Sequence, residues 1–192
     1  MALVAALFAT ALLVCLGTSL VLLGTLETTL AGNDVQAQAA AHAAQAALSL
    51  AASELRARSS WTGVVTAGAP DLCAAPGPFV EAAPSAPWDG SAIDLHALTV
   101  KRQADGDAIA PPGPSPPVWR LFEYGPISRL VPSEPRRHPY YLLIWTAGGS
   151  EGTVRIHATA LGPSGIVSSV EASVGRGPDG TSLRRLAIRT VR

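Results

Sequence analysis

The chain has 192 residues, 48% of them hydrophobic, and its 14 Lys and Arg balance its 14 Asp and Glu to a formal net charge of zero. Two cysteines are too few for a disulfide framework, which excludes a disulfide-stapled scaffold. Beyond the first 26 residues, the length accommodates about one ordinary domain and a stalk, at roughly 100–200 residues per domain.

The opening stretch, "MALVAALFATALLVCLGTSLVLLGTLE", carries no ionisable side chain before Glu27. Ala2 to Leu26 is long enough to span a bilayer, which takes roughly 20 apolar residues. A secretory h-region is usually about 7–15 residues and follows a basic n-region. Here the run is longer and nothing charged precedes it. A small-residue cleavage pattern, Ala37-Gln38-Ala39, lies far beyond its end. Insertion into a lipid bilayer is therefore expected. Lys and Arg usually set the orientation of a span, and none precedes Arg56. Either the N-terminus inserts unusually, or this is a mature form whose basic leader has been removed.

Residues 27–59 form a second kind of helix, rich in Ala, Gln, Leu and Glu. Ala37, Ala41, Ala44, Leu48, Ala51 and Leu55 recur at spacings of three and four, laying a small-residue stripe along one face. Glu54 and Arg58 form an i,i+4 acid-before-base pair. No proline interrupts residues 1–60, so 1–26 and 27–59 read as halves of one helix, with Gly32-Asn33-Asp34 as its weak point.

Residues 60–192 read as a β-rich head. "WTGVVT" is a short strand or loop, residues 70–90 are irregular, and "SAIDLHALTVKR" is a strand in which Ile93, Leu95, Ala97 and Thr99 alternate with Asp94 and His96. "ADGD" turns the chain, and "PPGPSPP" is a stiff extended crossing. "VWRLFEY", "YYLLIWTA", "TVRIHATAL", "GIVSSVEASVG" and "SLRRLAIRTVR" follow, joined by Gly-rich connectors. The last four, from Tyr140 to Arg192, have the spacing of an antiparallel meander. Arg155, His157 and Thr159 alternate with Val154, Ile156 and Ala158, which predicts one wet face and one face covered by the alanine-rich half of the long helix.

The charge is uneven. Residues 27–117 carry nine acids and four bases, and residues 118–192 carry ten arginines and five acids. Ordinary scatter on solvated faces explains this, as does complementarity between neighbouring copies or a basic face built from Arg155, Arg184, Arg185 and Arg189. Cys15 lies in the membrane run and Cys73 in the head, where it pairs with another chain or stays a free thiol. The four histidines have no ligand spacing, and Asp105-Gly106-Asp107 and Asp179-Gly180 read as turns rather than calcium ligands. With no nucleophile-and-base pair or phosphate-binding loop, an enzyme is not expected, nor is a cofactor.

An apolar helix running into an amphipathic one, then a β-meander, is the plan of type IV pilin-like proteins. The first 58 residues resemble the N-terminal region of PilX-type minor pilins through Ala2-Leu3-Val4, Glu27, Ala31-Gly32-Asn33, and Ala46-Ala47-Leu48 to Glu54-Leu55. The segment "VRIHATALGPSGIVSSVEASV" is also similar to their closing hairpin. The resemblance implies an α+β, type IV pilin-like fold, with a long N-terminal helix packed on a C-terminal antiparallel sheet. It implies cleavage by a prepilin peptidase, leaving Met1 as the N-methylated first residue. Expected partners are other major and minor pilins and the inner-membrane assembly platform, with DNA as a further candidate. The expected location is the bacterial inner membrane, and then a pilus filament or its tip. Most major pilins carry a glutamate at position five; this chain has Ala5, which favours a minor subunit. The alternatives are a tip-type pseudopilin of type II secretion or a non-polymerising, membrane-anchored binding domain. Gly17 and Gly24, seven apart on one helix face, together with Glu27, Gly32 and Asn33, are the residues expected to serve helix packing in assembly.

Overall fold

The computed structural model describes residues 1–58, 60, 61, 64, 84–109, 117–130, 139–149, 152–177 and 183–191; for residues 109, 183–186 and 191 it describes the backbone alone. "PPGPSPP" apart from its last proline, most of "WTGVVT", Cys73, His138 and Asp179-Gly180 lie outside the described residues. The chain divides into two compact units, Met1–Gln38 and Ala39–Arg192.

Helix α1 runs from Ala2 to Ala57, so its hydrogen-bonded backbone continues through Gly32-Asn33-Asp34. The first unit is helix alone, and every one of its residues is exposed. It is long and apolar enough to cross a membrane by length and composition. The six hydroxyls of residues 1–30 all bond back to carbonyls of their own helix: Thr10 to Ala6 and Leu7, Thr18 to Val14 and Cys15, Ser19 to Cys15, Thr25 to Leu22, Thr28 to Gly24 and Thr25, and Thr29 to Thr25. That is the arrangement a hydroxyl needs in hydrocarbon, where no water can satisfy it.

In the second unit, five strands form one antiparallel sheet in the order β1-β2-β3-β4-β5: β1 (Arg120–Pro126), β2 (Tyr141–Gly148), β3 (Thr153–Leu161), β4 (Val167–Arg176) and β5 (Leu183–Val191). Sequential neighbours pair throughout, so the meander expected from Tyr140 onward is present and β1 extends it. Ala40, Ala43, Ala44, Ala47, Leu48, Ala51 and Leu55 pack with Leu142, Ile144, Ile156, Ala158, Val170, Ala172 and Val174 in one core. The small side chains on the helix permit a close approach to the Leu, Ile, Val and Ala side chains of the sheet. The expected stripe is correct at Ala44, Leu48, Ala51 and Leu55, whereas Ala37 is exposed and Ala41 half-buried. The C-terminal end of α1 is held by two hydrogen bonds and one ring–guanidinium contact. Trp61 Nε1 donates to Leu55 O at 2.8 Å, and Arg176 Nη2 donates to Arg58 O at 2.8 Å while its guanidinium lies over the Trp61 ring. A cation at a helix C-terminus also suits the helix dipole.

Two expectations are corrected. "SAIDLHALTVKR" is not a strand: helix α2 spans Leu95–Ile109 and includes the supposed "ADGD" turn. Asp94 caps it, its Oδ1 accepting from the Ala97 N–H at 2.9 Å. The inward positions Leu95, Leu98, Thr99, Arg102 and Gly106 follow a helical period, which a seven-residue alternation could not reveal. Nor is the second sheet face wet at His157 and Thr159, although Arg155 stays half-exposed. His157 is 4% exposed and Thr159 6%, because α2, Trp88 and Ile93 cover a second core of Trp119, Leu121, Tyr141, Leu143 and Trp145.

Candidate functional site

The covered second face carries a row of side chains set by register. Trp145 pairs with His157, His157 with Glu171 and Glu171 with Arg189, so four strands place four functional side chains directly opposite one another. Arg155, two residues from His157, reaches the same carboxylate: its Nε donates to Glu171 Oε1 at 3.1 Å, and its Nη2 donates to the same oxygen. Arg189 Nη2 donates to Oε2 at 3.0 Å. Glu171 is 3% exposed. Burial by itself would push its carboxyl up, but its neighbours His157, Arg155 and Arg189, the two arginines hydrogen-bonded to it, outweigh this and hold it at about 2.

His157 is flanked by two indoles, Trp119 and Trp145, each with its ring centroid 5.8 Å away. Burial drives its pKa below the ordinary value, so the ring is neutral. Arg102, from α2, places Nη1 3.4 Å from His157 Nδ1. A guanidinium only donates, so Nδ1 accepts and the proton sits on Nε2. That N–H donates to Thr159 Oγ1 at 3.2 Å, and the Thr159 hydroxyl lies 2.8 Å from Ser169 Oγ. The guanidinium of Arg102 lies 4.7 Å over the Trp119 ring, and that of Arg155 lies 5.4 Å from it. Trp145 Nε1 donates to Thr99 Oγ1 at 3.0 Å, tying α2 to the sheet.

A cavity of about 320 Å³ opens beside this network between α2 and the sheet. Its apolar wall is Leu98, Leu143, Trp145, Leu161 and Val167, and its polar wall is Lys101, Arg102, Asp105, His157, Thr159 and Ser169. Among the described residues, no group of three or more His, Cys, Asp or Glu could hold a metal.

Of the residues singled out in the sequence, the structure brings Arg155 and Arg189 together, and joins both to the carboxylate of Glu171. Arg184 and Arg185 lie on β5 opposite Gly175 and Val174, with side chains outside the described residues. Met1, Ala5, Gly17, Gly24, Glu27, Gly32 and Asn33 all stand exposed on the first unit. A Cβ added at Gly17, Gly24 or Gly32 would meet nothing within 4 Å. Sequence reasoning misses Glu171 and Arg102, whereas Trp119 and Trp145, expected as core or interface packing, are buried in the second core. The one available signal was a lone acid in the otherwise small and apolar "SSVEASVG". Compared with family models, curated proteins and solved structures, the chain matches none.

Proposed function

We propose that this chain is a minor subunit of a type IV pilus or a related filament, with a structural rather than an enzymatic role. The observation that carries the reading is helix α1. It joins a fully exposed apolar segment, whose hydroxyls are satisfied internally, to an alanine-rich segment packed under an antiparallel meander. On this reading residues 1–26 rest in the inner-membrane bilayer before assembly and against the helices of other pilins afterwards, while the head faces outward. Ala5 offers no carboxylate to a neighbouring subunit's amine, which favours a tip or low-abundance position over that of the major subunit. The PilX-type resemblance of the first 58 residues supports the same assignment. Prepilin peptidase and the assembly platform are then its processing and export partners.

The experiment is filament fractionation. Cells are sheared, and the chain is followed by immunoblot in the filament and membrane fractions. Recovery with sheared filaments supports the pilin reading. Retention in the membrane, with filaments abundant and free of the chain, favours an anchored binding domain instead.

A further inference from the structure

Among the described residues, the cavity beside α2 holds a charge without a direct counter-ion. Arg102 is 6% exposed. Among the described residues its hydrogen bonding is limited to the 3.4 Å approach to His157 Nδ1, its Nε has no acceptor, and no carboxylate lies within ion-pair distance. Glu171, the nearest buried acid of the cluster, is already occupied by Arg155 and Arg189. Buried charges are ordinarily paired, because an unpaired ion in a low-dielectric site is costly.

The remainder of the wall defines what would pair with it. Lys101 and Arg102 contribute two positive charges and Asp105 one negative, so the lining carries a single net positive charge beside a neutral His157. That balance suits a monoanion rather than a phosphate dianion. Thr159 and Ser169 add hydroxyls on the polar side. Leu143, Leu161 and Val167 form an apolar wall that an inorganic anion would leave dry and unused. A volume of about 320 Å³ falls in the range of small-molecule pockets. We propose that this cavity binds a small organic monocarboxylate, its carboxylate held by Arg102 and its apolar body lying against Leu143, Leu161 and Val167. The site is independent of whether the chain polymerises.

The test uses the full chain in phosphatidylcholine nanodiscs, titrated calorimetrically with hexanoate and with hexanamide, its uncharged counterpart, against empty nanodiscs. Hexanoate is expected to bind at least about tenfold more tightly than hexanamide. Arg102→Gln should abolish that preference. Val167→Trp, at a position 60% exposed on the rim, should block both probes without disturbing the core, and it keeps the test decisive if Arg102→Gln fails to fold. Equal affinity for the two probes, undiminished hexanoate binding in Val167→Trp, or no hexanoate binding to the unaltered chain would each overturn the proposal.

Discussion

His157 and Glu171 stand directly opposite each other on β3 and β4, with His157 Nδ1 3.6 Å from Glu171 Oε2. That separation is too long for a hydrogen bond, and a neutral imidazole forms no ion pair, so the two are neighbours set by the strand register rather than a bonded pair. The carboxylate is ionised and clamped by two arginines, and the imidazole beside it is kept neutral by burial. Both groups resist protonation in the folded head, and both accept protons more readily once it unfolds.

The head should therefore lose stability in two stages on acidification. The folded pKa of His157 is depressed, so its contribution is complete above about 6.5 and is lost as pH falls below that value. The Glu171 contribution is complete above 4.5 and is lost as pH falls toward about 2. At 1.36 kcal/mol per pKa unit, the second stage amounts to about 3 kcal/mol. Thermal unfolding of the detergent-solubilised chain, followed by tryptophan fluorescence across pH, checks this. Glu171→Gln should flatten the lower stage, and an unchanged acid limb in that variant would contradict the assignment.

Ala47 is fully buried where α1 meets the sheet. Ala47→Leu forces three added carbons into a close-packed contact, and should destabilise the head by about 1–3 kcal/mol. Its neighbour Ala46 is exposed, and Ala46→Leu should change stability by less than about 0.5 kcal/mol. Denaturant midpoints of the two variants give the comparison.

Gly106 sits in α2, where a Cβ would come within 2.6 Å of Trp119 Nε1. Alanine is the better helix former by about 1 kcal/mol, so propensity alone predicts a gain from Gly106→Ala. The indole is buried and held under Arg102 and Arg155, so it cannot move away cheaply. The expected outcome is a net loss of about 1–2 kcal/mol, read as a lower denaturation midpoint. A higher midpoint would mean that Trp119 yields.

The double variant Gly17→Leu/Gly24→Leu tests the membrane half. Neither position touches anything in the chain itself, so insertion and head stability should be unaltered. In a filament, close approach of neighbouring helices through small residues would be lost, and recovery of the chain with sheared filaments should fall severalfold. Normal recovery would dismiss a packing role for these glycines.

Much of the fold was legible in the sequence. Alternation punctuated by glycine marked β2 to β5, and an uninterrupted run of helix formers marked α1. The error at α2 has a local cause. Over Ile93–Thr99 a period of 2 and one of 3.6 place apolar residues almost equally well, and the deciding inward positions, Arg102 and Gly106, do not look like core residues. The second error followed from the first: with α2 read as a strand, nothing remained to cover His157 and Thr159. The site was less legible still. Arg155, His157, Glu171 and Arg189 come from three strands, and only their register reveals that they meet. Arg102 joins them from a helix 55 residues before His157.

The reading of this chain as a pilin-type subunit is tested most directly by mass spectrometry of its N-terminal peptide, purified from its native membrane. The account predicts that the peptide begins at Met1 with a singly methylated amine, the product of prepilin processing. A formylated or unmodified Met1, or a chain beginning at Ala40, would contradict it.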